Sequence, residues 1–221
     1  MKQPVSDARA FVEAETTILS PPLVPEIRLH LASEILPLWQ ATEAELAELG
    51  LPPPYWAFAW PGGQALARHL LDHPDIVRGR RVLDFAAGSG LAAIAAVKAG
   101  AASAAAAEID RFAIAAIGLN AGLNHIAIES IEEDIVGQGG AWDVVLAGDV
   151  CYERPMAERV APWLARLAAE GALVLMGDPG RNYLPAAGLR EIARYDVPTS
   201  LELEDRILRE TIIWGWEAST Q

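Results

Sequence analysis

The sequence has little of the chemistry that holds metals or forms crosslinks. It contains one cysteine, Cys151, and four histidines in 221 residues. A single cysteine excludes an internal disulfide and a cysteine-based zinc site. His69 and His73 have helical i,i+4 spacing, but no glutamate lies between them as in a zinc protease. We therefore expect no metal site, and we interpret Cys151 as a small hydrophobe rather than a nucleophile.

Positive charge and long apolar runs are also scarce. Seventeen Lys and Arg face thirty Asp and Glu, and the formal net charge is -13. This balance disfavours nucleic-acid binding, which needs clustered basic side chains, and suits a small ligand or a basic protein segment. No apolar run is long enough to span a membrane, and the N-terminus lacks the apolar core of a signal peptide. These features predict a cytoplasmic protein without a membrane partner.

Hydrophobic residues make up 52% of the chain, which is enough for one sizeable core. From residue 81 onward, strand-like runs alternate with helical stretches that begin at residues 91, 111 and 155; the runs are "RRVLDFAA", "ASAAAAEID", "HIAIES", "WDVVLAGDV" and "GALVLMGDPG". Such alternation predicts βαβ units and an α/β, doubly wound, Rossmann-like parallel sheet. The segment "AAGLREIARY" is predicted to be a helix, and the tail after it two strands joined by a turn.

The first sixty residues have a different pattern. Pro25 is placed to open a helix, with Ile27, Leu31, Ile35 and Leu38 at helical spacing, and Thr42-x-x-Glu45 resembles a capping box. A loop rich in proline and glycine follows, and "GQALARHLLDHP" then predicts an amphipathic helix. We therefore expect an N-terminal helical extension or cap over residues 1–60 and the main domain over residues 61–221.

A glycine turn at the end of the first strand of this pattern indicates a ligand site. Gly88 and Gly90 allow a sharp turn and close approach of the backbone to a ligand, with a helix N-terminus behind them. Glu108, eighteen residues after Gly90, ends the next strand, where a carboxylate holds ribose hydroxyls. Both a nicotinamide dinucleotide and S-adenosylmethionine meet these requirements.

Three carboxylates favour S-adenosylmethionine. Asp84 lies inside the strand end, where a negative charge opposes a pyrophosphate but suits the charged amino-acid part of S-adenosylmethionine. Asp134 is positioned to accept a hydrogen bond from the adenine amino group, and Asp149 ends a strand that faces the reactive end of the ligand. A nicotinamide-dependent oxidoreductase remains the alternative from another class.

Each of these side chains also has a purely structural interpretation. Asp84 can anchor the loop through backbone amides, Asp134 can be a turn residue, and Asp149 can cap the following helix. Trp60 can simply pack the N-terminal segment on the domain. Glu153 is either a second substrate carboxylate or an exposed loop charge.

Several motifs together resemble a known family. "VLDFAAGSG", "AAEID" and "WDVVLAGDVCYE" resemble the class I, seven-β-strand methyltransferases, and Asp149-x-x-Tyr152 is similar to the signature of their lysine-methylating branch. "LVPEIRLHLASE", "PPPYWAFAWPGGQALARHLLD" and "MGDPGRNYLP" resemble the electron-transfer flavoprotein β-subunit lysine methyltransferases. The resemblance runs from about residue 11 to the tail.

The resemblance implies six parallel strands plus one antiparallel strand, and methyl transfer from S-adenosylmethionine to a lysine of the electron-transfer flavoprotein β-subunit. The cofactor-binding positions it matches are Trp60, Asp84, Gly88, Gly90, Glu108, Asp134 and Asp149. Asp149 and Tyr152 match the substrate-side, catalytic motif. The mitochondrial members carry a targeting peptide that this chain lacks, which favours a bacterial relative. Another acceptor, such as a ribosomal protein or a small amine, remains open, as does a binding module that lost transfer.

Overall fold

The computed structural model describes residues 5–32, 51–199 and 206–216. Its helices are α1 (Ala8–Glu15), α2 (Pro61–Asp72), α3 (Leu91–Lys98), α4 (Arg111–Leu123) and α5 (Arg154–Ala169). Its strands are β1 (Thr17–Leu19), β2 (Leu29–Leu31), β3 (Arg81–Phe85), β4 (Ser103–Glu108), β5 (Glu129–Glu132), β6 (Val144–Gly148), β7 (Leu173–Asp178), β8 (Leu189–Pro198) and β9 (Leu208–Trp216).

Seven of these strands form one sheet in the order β5-β4-β3-β6-β7-β9-β8. Strands β3 to β7 pair in parallel, β9 is antiparallel to β7, and β8 is antiparallel to β9. Strand β8 therefore runs in the same direction as the first five. The predicted doubly wound sheet with one antiparallel strand is confirmed.

Alternate residues of the central strands face two separate apolar layers. Val82 of β3 packs in the layer that contains α2 and α3, whereas Leu83 and Phe85 pack against α5 on the other face. By the two-residue period of a strand, Asp84 lies on the α2 and α3 face. The alanines of α3 and β4 keep this helix and strand close together because they add little volume between the backbones.

The helix predicted from Pro25 is wrong over the described residues. Residues 29–31 form β2, which pairs antiparallel with β1. Ile27, Leu29 and Leu31 are all buried, so the apolar period is two rather than 3.6, and a four-residue spacing is compatible with both. The predicted helical positions Ile35 and Leu38, and the capping box, lie outside the described residues.

The helix predicted for "AAGLREIARY" is also wrong, because residues 189–198 form β8 at the edge of the sheet. Strand β8 pairs with β9 along its length, with a register shift between Glu191 and Ala193. Pairing with a neighbouring strand outweighs local helix propensity here. The strand predicted at "HIAIES" forms four residues later, as β5.

The N-terminal segment contacts the domain through aromatic side chains. Helix α1 packs on α4, and the rings of Phe11 and Phe112 lie 5.0 Å apart. The division of the chain at residue 60 stays a prediction. Within the described ranges, no helix is both long and apolar enough to cross a membrane.

Candidate active site

A pocket opens where β3 and β6 end, beside the first turn of α2. Four of the residues predicted from the sequence line it: Trp60, Asp84, Gly88 and Asp149. Because neighbouring parallel strands end at the same edge of a sheet, ligands bind there in doubly wound folds. The carboxylates that the sequence spaces far apart are thus brought to one crevice.

Asp84 is buried, and its carboxylate accepts a hydrogen bond of 2.8 Å from the amide of Ala93 in the first turn of α3. The loop-anchoring interpretation is therefore correct for one oxygen, while the residue also lines the pocket. Burial raises the pKa of Asp84 to about 8, and the negative charge of Glu108 adds to this rise. A cation beside Asp84 would offset this penalty by stabilising the ionised form.

The turn between β3 and α3 depends on its glycines. Gly88 has φ of 52° and Gly90 has φ of 79°, both in the left-handed region. A Cβ at Gly90 would lie 3.2 Å from the side chain of Ile117. The glycines therefore allow a turn that other residues rarely adopt, and Gly88 of this turn lines the pocket.

Glu108, at the end of β4, is tied to the same turn. One of its carboxylate oxygens accepts from the amide of Gly88 at 3.1 Å and the other from the amide of Ile109 at 2.8 Å. Asp110 instead caps α4 by accepting from the amide of Phe112. Ile109, between these two carboxylates in the sequence, is 74% exposed.

Asp149 connects three parts of the pocket. Its Oδ2 accepts from the amide of Gly62 at 2.6 Å, and its Oδ1 accepts from Arg181 Nη2 at 2.8 Å. Burial raises the pKa of Asp149 to about 6, although the charge of Arg181 lowers it. The alternative that Asp149 caps the following helix is wrong, because Glu153 occupies the N-cap position of α5. Asp149 bonds to the first turn of α2 instead.

The first turn of α2 sits directly on the ends of β6 and β7. A Cβ at Gly62 would lie 2.2 Å from the carbonyl oxygen of Gly177 and 2.5 Å from Asp149 Oδ2. A Cβ at Gly177 would meet the carbonyl of Gly62 at 2.3 Å. Only glycine at both positions permits this approach, which brings the Gly62 amide within reach of Asp149.

Aromatic rings lie beside the pocket, and two of them, Phe58 and Trp60, line it. We call Tyr55, Phe58, Trp60 and Tyr152 the aromatic cluster: Trp60 donates from Nε1 to the carbonyl of Tyr55 at 2.7 Å, and the rings of Tyr55 and Tyr152 lie 5.4 Å apart. Trp60 is only half-buried, unlike Trp56, which is buried in the core. Burial raises the pKa of Tyr152 to about 12, helped by Tyr55, so its hydroxyl stays protonated at neutral pH.

Two further residues considered in the sequence analysis, Asp134 and Cys151, have opposite surroundings, the first exposed and the second buried. Asp134 is exposed; it accepts from the amide of Val136 at 3.1 Å and pairs with Arg159 at 2.6 Å, so it acts as a turn residue, and its adenine role stays a prediction. Cys151 is buried, and burial raises the pKa of its thiol to about 12, which is consistent with a small hydrophobe.

Arg181 and Asp178 belong to the site but were not identified from the sequence. Arg181 pairs with Asp149 and its guanidinium lies over the ring of Trp60, 5.8 Å from the ring centre. Asp178 accepts from the amides of Gly180 and Arg181, both at 2.7 Å. Both residues lie in "MGDPGR", which overlaps the end of the predicted strand "GALVLMGDPG" and contributes to the family resemblance, but neither side chain was assigned a role.

Comparison with known proteins places the chain in a family. The family model described as "Ribosomal protein L11 methyltransferase (PrmA)" matches residues 66–177. The chain is 39% identical over 216 residues to the electron transfer flavoprotein beta subunit lysine methyltransferase of Xenopus laevis, covering 95% of this chain and 87% of the relative. The Homo sapiens protein of that name is 36% identical over 226 residues, with 96% and 82% covered.

Solved structures agree on the fold. The magnesium protoporphyrin IX methyltransferase of Synechocystis PCC 6803 with bound SAM superposes with a TM-score of 0.52, covering 70% of this chain and 78% of that one, at 15% identity. This likeness concerns the fold alone, whereas the curated relatives match almost the whole chain. The chain belongs to the family of electron transfer flavoprotein beta subunit lysine methyltransferases.

Proposed function

We propose that this protein transfers a methyl group from S-adenosylmethionine to a lysine side chain of the electron-transfer flavoprotein β-subunit. The observation that carries the proposal is 36–39% identity, spread over almost the whole chain, to relatives with that printed name. The pocket supports it independently, since its carboxylates suit a cationic ligand and a cationic acceptor. A nicotinamide-dependent oxidoreductase is not supported by any of these relatives.

The residues at the ends of β3 and β4 fit S-adenosylmethionine. The buried Asp84 carboxylate suits the ammonium of the methionine part, and the turn formed by Gly88 and Gly90 brings the Gly88 backbone to the pocket. Each oxygen of Glu108 has one amide donor and keeps a further lone pair for ribose hydroxyls. We assign adenine contacts to the exposed Ile109 and to Asp134, and a covering role to Trp60.

When bound, the sulfonium supplies an activated methyl group and a good leaving group, so the protein mainly has to position the acceptor. Asp149 would accept a hydrogen bond from the lysine amine and attract its charge, and Tyr152 and Trp60 would confine the aliphatic stem. Positioning of this kind supplies most of the acceleration in such transfers. Tyr152 is not a base, because its pKa is raised to about 12. No single general base is assigned.

The proposal is tested by weighing the intact β-subunit after incubation of its flavoprotein with the purified protein and S-adenosylmethionine. Mass gains in steps of one methyl group, absent with Asp149→Ala, would support it. Peptide mapping would then identify the lysine. No gain despite measurable cofactor binding would refute the acceptor, and the same assay would be run on ribosomal proteins and small amines. If nothing is methylated, a binding module without transfer becomes the better interpretation.

A further inference from the structure

Arg181 occupies a defined position between a carboxylate and an aromatic ring. Its Nη2 and Nε donate to Asp149 Oδ1 at 2.8 and 3.2 Å, and its guanidinium lies within the cation–π range of Trp60. The side chain of Arg181 is 17% exposed and that of Asp149 is 9% exposed. Both side chains are thus largely shielded from water, so they interact more strongly than an exposed pair such as Arg194 and Glu191, whose side chains are 45% and 42% exposed.

The backbone behind Arg181 is also held in place. Asp178, 1% exposed at the end of β7, accepts from the amides of Gly180 and Arg181 with a single oxygen. Two short hydrogen bonds to one buried side chain restrict the loop from which Arg181 extends. Arg181 is thus a built part of the pocket, in contrast to a surface arginine such as Arg194, whose side chain is 45% exposed.

Within the described part of the chain, polar and charged groups reach Asp149 from three segments. The Gly62 amide approaches from α2, Arg181 from the loop after β7, and Asp178 from the end of β7, while the thiol of Cys151 lies on the same segment as Asp149. Burial and the charge of Asp178 favour the protonated carboxyl, whereas Arg181 favours the carboxylate. Arg181 is therefore the charged group that opposes protonation of Asp149.

We propose that Arg181 is a positioning residue for methyl transfer, which holds the Asp149 carboxylate ionised and in the orientation that receives the lysine amine. This inference rests on the proposed function for its effect on turnover, but the effect on Asp149 is a property of the free protein. It extends the Asp149-x-x-Tyr152 motif to a third residue thirty-two positions after Asp149. It also explains why "MGDPGR" places an arginine directly after the glycine turn.

The first test needs no acceptor. The carboxyl carbon of Asp149 is titrated by NMR in the wild type, Arg181→Gln, Arg181→Lys and the surface control Arg194→Gln, with Asp149→Asn to assign the signal. We expect a higher pKa of Asp149 in Arg181→Gln, an intermediate pKa in Arg181→Lys and an unchanged pKa in the control. An unchanged pKa of Asp149 in Arg181→Gln would overturn the inference. Should Arg181→Gln fail to fold, Arg181→Met, which also removes the charge and keeps an unbranched stem, decides by the same criterion.

The second test separates kcat from KM with the flavoprotein as substrate. Arg181→Gln should lower kcat by about tenfold to a hundredfold and move the acid limb of the kcat profile to higher pH, with partial recovery in Arg181→Lys. An effect confined to the KM of the flavoprotein would overturn the positioning role in favour of a surface contact. If the wild type does not methylate the flavoprotein, the proposed acceptor fails, and the NMR titration still decides the inference.

Discussion

The two halves of the pocket are held together by different interactions. At the ends of β3 and β4, Asp84 and Glu108 bond to backbone amides only nine and twenty positions away. At the end of β6, Asp149 bonds to Gly62 and Arg181, which are 87 and 32 positions away. We call the first region, with Asp84 and Glu108, the cofactor half; it is formed by one βαβ unit. We call the second region, with Asp149, the acceptor half; it forms only once α2 and the loop after β7 have docked.

Because of this difference, substitutions in the two halves should have different effects on binding, stability and turnover. A change in the cofactor half alters the charge or backbone that meets the ligand, and its effect on stability is confined to one βαβ unit and the residues packed on it. A change in the acceptor half disturbs the packing of three segments and so reaches both stability and turnover. The following substitutions test that separation, beginning with the largest effect.

Gly62→Ala should destabilise the acceptor half most. The new Cβ would lie 2.2 Å from a backbone oxygen of Gly177, so α2 must move away from the sheet, and we expect a loss of about 3 kcal/mol in the free energy of unfolding. Gly63→Ala is the matched control, because its Cβ meets nothing within 4 Å. Urea unfolding of both variants checks this; equal stabilities would contradict the tight contact.

Asp84→Asn should weaken S-adenosylmethionine binding by about tenfold or more, because the amide keeps an acceptor for Ala93 but loses the charge. In the wild type, affinity should rise between pH 6 and 8, as the carboxyl with its pKa of about 8 ionises while the ligand's ammonium is still largely protonated. The variant should lack this rise. Calorimetric titration across this range measures both, and a wild-type affinity independent of pH would contradict the role of the Asp84 charge.

The same carboxyl sets a pH dependence of stability. Between its ordinary pKa of about 4 in the unfolded chain and about 8 in the folded protein, the folded state binds the extra proton, so stability without ligand falls as pH rises through this window. In Asp84→Asn, stability should decrease less as pH rises through this window. Urea unfolding of the wild type and Asp84→Asn at pH 5 and pH 8 measures this. An equal loss of stability between the two pH values in both proteins would show that burial of Asp84 does not cause it.

Gly90→Ala tests the turn on a smaller scale. Positive φ alone costs about 1 kcal/mol, and contact with Ile117 at 3.2 Å should add about 1 kcal/mol more. Gly79→Ala is the matched control, with φ of 72° and open space around its Cβ. The prediction is that Gly90→Ala unfolds at lower urea concentration than Gly79→Ala. Equal urea midpoints for the two variants would mean that the Ile117 side chain moves aside without a loss of stability.

Asp134→Asn should have the smallest effect. The amide oxygen of Asn is a weaker acceptor than a carboxylate for the adenine amino group, so the Kd for S-adenosylmethionine should rise about threefold. Stability should hardly change, since the Arg159 pair is exposed. Calorimetry of this variant beside the wild type decides the adenine role, and an unchanged Kd would remove Asp134 from the site.

These two halves also differ in how far the sequence predicts them. Asp84, Gly88, Gly90 and Glu108 could be placed from the sequence because their partners lie within the same βαβ unit. Arg181 could not, because its pairing with Asp149 depends on where the loop after β7 is held by Asp178. For the same reason β8 was predicted as a helix: its conformation is decided by pairing with β9 rather than by local propensity.

The separation of the two halves is tested most directly by measuring binding and transfer on the same samples of Asp84→Ala and Asp149→Asn. We predict that Asp84→Ala loses S-adenosylmethionine binding, seen by calorimetry, and transfer with it. Asp149→Asn should bind the cofactor within about tenfold of the wild type, yet methylate the flavoprotein β-subunit at least about a hundredfold more slowly. Loss of binding in Asp149→Asn, or normal binding in Asp84→Ala, would contradict the account.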